Sequence, residues 1–177
     1  ATTPKCRKGS KGCKRSEETG QTVEVEDEQE YNILQERAII DMDSIGAGPW
    51  KDGQNIETSG LSACSVMAVY DKTKFAMAHI PPARAANGEL SMTGTEVINE
   101  YKAKLTTRSS VSSMKQPKGY LLMSSLLDED KRELMRQWFR DNNVQFKENI
   151  YSPDNAGSGN LVISRETKSW PPLVSFA

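Results

Sequence analysis

The sequence predicts an α+β fold, a mixed β-sandwich flanked by helices and preceded by a flexible, disordered N-terminal tail. The 177 residues have the length of one domain, which buries roughly 70% of its unfolded surface without metal or disulfide support. Short apolar runs alternate with turn residues, while two longer segments repeat apolar residues at helical spacing. Strands outnumber helices and several are apolar on both faces, which favours sheets covered by other layers.

The predicted elements follow from these patterns. The strands, in chain order, cover 38–40, 65–70, 75–80, 119–124, a segment from 144 onward, 161–163 and 173–174. Residues 44–49 combine two glycines with a proline and are predicted to form a turn or loop. Helices are predicted over 94–108 and 128–142, because apolar residues recur there on one helical face.

Residues 1–30 carry their charges in two blocks. Residues 1–15 hold six basic and no acidic side chains, and residues 16–30 hold seven acidic and no basic ones. Such blocks are typical of solvated, flexible segments, so the globular domain is placed at 31–177. The alternation over 22–26 leaves an edge strand open as the other interpretation.

The three cysteines divide into a pair and a single residue. Cys6 and Cys13 flank a short basic loop, which suits a disulfide in an oxidising compartment. The chain starts without methionine, as a mature secreted protein or a trimmed sequence would, and we expect secretion. Lys14-Arg15 suits a dibasic processing protease, which would make 1–15 a pro-segment. Cys64 is left as the odd cysteine.

Composition excludes several classes of function. The formal net charge of −1 argues against a dedicated nucleic-acid binder, and no apolar run is long enough to cross a membrane. One histidine and three scattered cysteines are too few for a zinc site. Asp41 and Asp43 lack further acidic partners. We therefore expect no metal and no cofactor, and we also expect a monomer.

The single histidine, His79, falls beside the odd cysteine. Cys64 and His79 lie fifteen residues apart, on either side of the predicted turn at 71–74. A two-residue turn places them directly opposite each other and a four-residue turn makes them diagonal neighbours; both put them on one face of the sheet. There an imidazolium would lower the thiol pKa and create a nucleophile. The other interpretation is a small core cysteine beside a hydrogen-bonded histidine.

The residues around this pair carry a family resemblance. The stretch 58–64 (TSGLSAC), followed by a strand, a turn and His79, resembles the cysteine deamidases of the cytotoxic necrotizing factor type. The chemotaxis receptor glutamine deamidases and the Burkholderia lethal factor belong to the same superfamily, whose signature is Leu-Ser-Gly-Cys or Leu-Gly-Ser-Cys. Ala63 stands in place of the signature glycine, while His79 and Thr58 stand at the family's spacing. The match covers about 22 of 177 residues.

The resemblance implies a reaction. Cys64 would attack the side-chain carboxamide of a glutamine in a protein substrate, with nearby backbone N–H groups stabilising the oxyanion. His79 would protonate the departing ammonia, and water would release glutamate. Thr58 would orient the imidazole as third member of a triad. The other interpretation of Thr58 is a turn residue that satisfies a loop amide.

The implied protein is a secreted toxin or effector acting on a host or target organism's protein. An amine in place of water would give transglutamination with the same residues. A non-catalytic effector that binds a host protein with the same fold is the alternative.

Three weaker features complete the sequence analysis. Residues 157–160 (GSGN) are interpreted as a plain loop, with backbone donors lining the site as the other possibility. Trp50 and Trp170 are interpreted as packing residues, with the rim of a substrate groove as the alternative. Ser62 is rejected as a nucleophile because no second histidine serves it.

Overall fold

The computed structural model describes residues 24–25, 31–34, 37–155, 159–165 and 170–177. These ranges form β-strands, two α-helices and two short 3-10 helices. The strands are β1 (Glu24–Val25), β2 (Tyr31–Leu34), β3 (Arg37–Ile40), β4 (Ser44–Pro49), β5 (Asn55–Thr58), β6 (Ser65–Tyr70), β7 (Lys74–Ile80), β8 (Arg84–Ala86), β9 (Glu89–Met92), β10 (Lys118–Ser124), β11 (Gln145–Tyr151), β12 (Leu161–Ser164) and β13 (Leu173–Phe176). The α-helices are α1 (Gly94–Ser109) and α2 (Glu129–Asp141), and the 3-10 helices span Val111–Ser113 and Pro153–Asn155.

The strands form two main sheets and a separate hairpin. The six-stranded sheet, called the large sheet, has the order β1-β4-β7-β6-β10-β11. The five-stranded sheet, called the small sheet, has the order β13-β12-β5-β3-β2, and β8 pairs only with β9. The predicted α+β class, with layered sheets flanked by helices, is confirmed.

Two apolar layers hold these elements together. One layer lies between the helices and the large sheet and includes Met67, Ala78, Leu121 and the α2 residue Phe139. The other layer joins the two sheets. Its members from the large sheet are Val66, Ala68, Tyr70, Phe75, Met77, Tyr120, Leu122 and Tyr151, and those from the small sheet are Ala38, Ile40, Ile56, Leu161 and Ile163. Alternate residues of β6 therefore enter opposite layers, and all six residues of β6 are buried.

Each helix begins directly after a capping residue. Thr93 accepts a hydrogen bond from the Glu96 amide while the Glu96 side chain accepts one from the Thr93 amide, a capping box before α1. The Asp128 side chain caps α2 in the same way, by accepting from the Lys131 amide. Both helices lie within one residue of their predicted bounds.

The loop predicted at 44–49 is wrong, because these residues form β4. The side chains of Ile45 and Ala47 are buried in the large sheet, where β4 pairs with β7 over its whole length. Pro49 occupies the last position of the strand, so the N–H that it lacks affects the ladder only at its end. Burial between neighbouring strands therefore outweighs the turn preference of two glycines and a proline.

The β8–β9 hairpin is an element that the sequence analysis missed, although it has a local signal. Asn87 and Gly88 connect Ala86 to Glu89 and both have positive φ, 53° and 80°. This is the conformation for which Asn-Gly is the preferred two-residue turn. The strand β5 was also missed, because the alternation typical of strands is hard to recognise in only four residues.

Part of the charged N-terminal segment lies within the described ranges. Glu24–Val25 pairs with Ala47 and Gly46 of β4 at the edge of the large sheet, as the edge-strand interpretation has it. Cys6, Cys13 and Lys14-Arg15 lie outside the described residues. Neither described α-helix has the length and apolar character needed to cross a membrane.

Candidate active site

The β6–β7 hairpin sets the relation between Cys64 and His79. Tyr70 pairs with Phe75 and Val66 pairs with His79, so the connection is the four-residue turn. The Asp71 carboxylate closes this turn by accepting hydrogen bonds from the amides of residues 73 and 74. Cys64 directly precedes β6 and is consequently the diagonal neighbour of His79, the second of the two predicted arrangements.

Thr58 reaches His79 from the opposite sheet. Thr58 ends β5 in the small sheet, and its Oγ1 lies 2.7 Å from His79 Nδ1. The same hydroxyl donates to the Ile40 carbonyl at 2.7 Å. A hydroxyl has one proton and a carbonyl can only accept, so the Nδ1–H of His79 donates to Thr58 Oγ1. In the neutral ring, Nε2 then carries the lone pair.

His79 Nε2 carries the lone pair that can accept a proton, but solvent does not reach it. The atom is buried and has no hydrogen-bond partner within the described part of the chain. The thiol–imidazole hydrogen bond suggested by the hairpin geometry is therefore not formed in this conformation. An unsatisfied buried acceptor costs about 1–3 kcal/mol, so a donor that reaches Nε2 gains a favourable hydrogen bond to it.

Burial sets the charge state of the pair. Cys64 is 4% exposed and His79 is 0% exposed. Burial raises the pKa of Cys64 to about 11; the charge of Asp43 raises it too, and a hydrogen bond from the Ala63 backbone opposes the rise. Burial lowers the pKa of His79 to about 4, against the opposing effect of Asp43. The expected thiolate–imidazolium pair is thus wrong for this conformation, because burial penalises both charges.

The backbone of Cys64 is held by a residue that the sequence analysis did not find. The Tyr151 hydroxyl, at the end of β11, donates to the Cys64 carbonyl at 2.7 Å. The Tyr151 ring is buried and packs against Phe176 with centroids 5.2 Å apart. Tyr151 lies 87 positions from Cys64, and no spacing rule connects residues at that separation.

Ala63 fits the backbone at the position of the signature glycine. Ala63 is not among the residues with positive φ, whereas Gly60, three positions earlier, has a φ of 76°. A Cβ at position 63 is therefore compatible with the conformation of the segment.

The segment before Cys64 packs against the backbone of Gly159. The Leu61 amide donates to the Gly159 carbonyl at 3.1 Å, and Leu61 is 2% exposed. Gly159 has a φ of 66°, and a Cβ built there would lie 2.6 Å from the Leu61 carbonyl oxygen. Of the predicted loop 157–160, Gly159 thus lies against the cysteine segment, while the backbone of Asn160 pairs with that of Ala177.

The other residues considered in the sequence analysis lie outside the Cys64–His79 site. Ser62 is exposed, and Trp50 is a core residue whose indole donates to the Gln54 carbonyl. Trp170 lines a groove of about 980 Å³ together with Tyr70 and Lys118, at the end of β6 opposite to Cys64. Within the described ranges, no group of three or more His, Cys, Asp or Glu side chains is placed to hold a metal ion.

Comparisons with known proteins find a distant structural likeness but no matching family model or curated protein. No protein-family model matches the chain, and no curated protein matches it. Among solved structures, the C-terminal domain of CNFy from Yersinia pseudotuberculosis is similar with 13% sequence identity and a TM-score of 0.35. The alignment covers 80% of this chain and 56% of that one. So distant a likeness fixes neither fold nor chemistry, which rest on the contacts described above.

Proposed function

We propose that this protein is a secreted, effector-type cysteine amidohydrolase that converts a glutamine side chain of a target protein into glutamate. Cys64 is the nucleophile, His79 the general base and acid, and Thr58 the residue that orients the imidazole. The observation that carries the proposal is the hydrogen bonding of His79. Its Nδ1 is fixed by Thr58, while its buried Nε2, on the sheet face that also carries Cys64, has no hydrogen-bond partner among the described residues.

The neutral pair supplies both proton transfers of the acylation step. His79 Nε2 takes the thiol proton as Cys64 Sγ attacks the carboxamide carbon, which forms a tetrahedral oxyanion. When this intermediate collapses, the C–N bond breaks, and the Nε2 proton goes to the departing nitrogen, which leaves as ammonia. The product of the step is a thioester between Cys64 and the substrate side chain.

Water completes the cycle with the same residues. His79 Nε2 accepts a proton from water, the oxygen attacks the thioester carbon, and the C–S bond breaks. The proton held by Nε2 returns to Sγ, and the glutamine side chain leaves as glutamate. An amine in place of water would give a transglutaminated product through the same intermediate.

Thr58 supports the charged form of His79 that appears in each step. The imidazolium strengthens its Nδ1–H hydrogen bond to Thr58 Oγ1, because donors that carry charge bond more strongly. The hydroxyl cannot turn its own proton toward the ring without losing its bond to the Ile40 carbonyl. The imidazole is thereby kept in the tautomer whose Nε2 can act as a base.

The burial of Cys64 favours a second candidate function. With 4% of its surface exposed, Cys64 would be reached by a glutamine side chain only after its cover opens, and we propose the contact between Leu61 and Gly159 as that cover. A protein that never opens this contact would be a non-catalytic effector, binding its host target through the outer surface of the same fold. In that case the Cys64–His79 pair is a packing feature.

Ammonia release separates the two candidates. The purified protein is incubated with an extract of candidate host proteins, and free ammonia is measured against the Cys64→Ala variant. We expect release by the wild type and none by the variant. Equal release by both proteins, together with retention of the biological effect in Cys64→Ala and His79→Ala, would replace the enzyme by the binding effector.

A further inference from the structure

Asp43 lies directly behind His79 in the turn between β3 and β4. Its amide donates to the His79 carbonyl at 2.9 Å, and the next residue, Ser44, is the strand partner of His79. Asp43 has a φ of 56°, in the left-handed region, which among residues with a Cβ is best tolerated by Asn and Asp. The turn thus places an acidic residue in this strained conformation at the backbone of the histidine.

The Asp43 carboxylate is held from two other elements. Arg84, in the β8–β9 hairpin, donates from Nε to Oδ2 at 2.9 Å and from Nη2 to Oδ1 at 2.8 Å. Tyr101, in α1, donates its hydroxyl to Oδ1 at 2.7 Å. A bidentate guanidinium and a phenol fix the position of the carboxylate. The hairpin and α1 therefore hold the carboxylate that the β3–β4 turn carries beside the backbone of His79.

We propose that Asp43 is a positioning residue that anchors the β3–β4 turn to His79 and supplies the fixed negative charge that stabilises the imidazolium formed during turnover. This inference rests on the proposed function for its catalytic consequence. Its electrostatic part concerns the free protein alone and is measurable without a substrate.

The charges around His79 are consistent with this role. The titratable and charged groups that face His79, or that face Asp43 behind it, are Cys64, Asp43, Arg84, Tyr101, Glu100 and Lys104. Among them Asp43 acts on both members of the catalytic pair, and its charge raises the pKa of His79 and that of Cys64. It therefore favours a protonated imidazole, which is the sense needed when His79 holds the transferred proton. In the resting pair the same charge also favours the protonated thiol.

Asp43→Asn is the informative variant, because Asn keeps the size and tolerates positive φ while it removes the charge. The chain has one histidine, so its imidazole gives a single NMR titration. We expect the pKa of His79 to fall further in D43N, and the pH midpoint for alkylation of Cys64 to fall as well. With substrate, kcat should fall roughly 10- to 100-fold, as for other orienting groups, while KM changes little because Asp43 contacts no substrate.

Two matched variants control the experiment. Glu100→Gln removes a carboxylate from the other side of Arg84, which bonds to it at 3.1 Å, but leaves the charge of Asp43 next to His79. It should leave the His79 titration and kcat close to those of the wild type. Arg84→Gln removes the cation that offsets Asp43, and the pKa of His79 should rise. This opposite sign keeps the proposal testable even if D43N does not fold.

The outcomes are distinct. A lower His79 pKa in D43N and a higher one in R84Q support the proposal, whether or not the wild type deamidates anything. A His79 titration that is unchanged in both variants overturns it, even if D43N melts at a lower temperature, since Asp43 would then be only structural. Absence of deamidation by the wild type rejects the proposed function and is recognised separately, because the titration needs no substrate.

Discussion

Thr58 Oγ1 lies 2.7 Å from His79 Nδ1, although the two residues belong to different sheets. The contact crosses the apolar layer between the sheets at the end where Cys64 enters β6. It ties the orientation of the single histidine to the stacking of the sandwich. The hydrogen bond to Thr58 gives this buried histidine a defined tautomer, and its Nε2 has no partner in the described part of the chain.

The first prediction concerns this contact. Thr58→Val keeps the shape of the side chain but leaves the Nδ1–H of His79 without its acceptor and the Ile40 carbonyl without its donor. Deamidation should fall roughly 10- to 100-fold, and the free energy of unfolding should drop by about 1–3 kcal/mol. Thr58→Ser keeps the hydroxyl and should therefore retain most of the deamidation activity and most of the free energy of unfolding. Equal losses in the two variants would show that the methyl group, not the hydroxyl, matters.

The second prediction concerns pH and stability. The pKa of His79 is about 4 in the folded protein and about 6.5 in the unfolded chain. Between these values the unfolded chain binds a proton that the folded protein does not, so stability must fall as pH falls. The loss should reach about 3 kcal/mol and be complete near pH 4. It is measured by urea unfolding across this range, with His79→Asn as the control.

His79→Asn has no imidazole and should lack this component of the pH dependence, while the contribution of the carboxylates stays. If the two proteins lose stability in parallel between pH 6.5 and 4, His79 is not held neutral by burial.

The third prediction concerns access to the thiol. Because Cys64 is buried and its pKa is raised to about 11, iodoacetamide should modify the folded protein slowly near neutral pH. Gly159→Ala places a Cβ against Leu61 and should speed the modification by separating the two segments. Gly53→Ala is the matched control, since Gly53 also has positive φ but no atom within 4 Å of its added Cβ.

Faster alkylation in Gly159→Ala alone would identify the contact between Leu61 and Gly159 as the cover of the thiol. Equal acceleration in both glycine variants would instead attribute the effect to general backbone strain.

The local part of the site was predictable and the non-local part was not. The register of the β6–β7 hairpin depends on a turn of four residues and on a period of two, so the sequence alone places Cys64 and His79 on one face. Thr58 was identified by resemblance, but its contact with His79 depends on how two sheets stack. Tyr151 contacts the Cys64 carbonyl and Asp43 contacts the His79 carbonyl because strands distant in sequence lie side by side. A local sequence pattern contains no information about such contacts.

The charge state of the pair was mispredicted for a related reason. A thiol beside an imidazole suggests an ion pair when both groups are near water. Burial depends on the complete three-dimensional packing, and here it makes both charged forms unfavourable. In the same way β4 was predicted as a loop from its glycines and proline, because the neighbours that bury it come from distant parts of the sequence.

The fourth prediction separates chemistry from packing at Cys64. Cys64→Ala removes the nucleophile and little volume, so the free energy of unfolding should change by no more than about 2 kcal/mol while activity disappears. Cys64→Ser should also be nearly inactive, since a hydroxyl is a much weaker acid than a thiol. If Cys64→Ala loses activity only because it no longer folds, Cys64 would be a packing residue of the core rather than the nucleophile.

The central claim, that Cys64 forms a thioester which water hydrolyses, is tested most directly by isotope incorporation. The wild type and Cys64→Ala are incubated with target proteins in water enriched in heavy oxygen, and the products are analysed by peptide mass spectrometry. The account predicts glutamate at specific former glutamine positions, carrying one oxygen from the solvent, with the wild type only. Glutamines that stay unchanged with the wild type, or that are converted equally by Cys64→Ala, would contradict it.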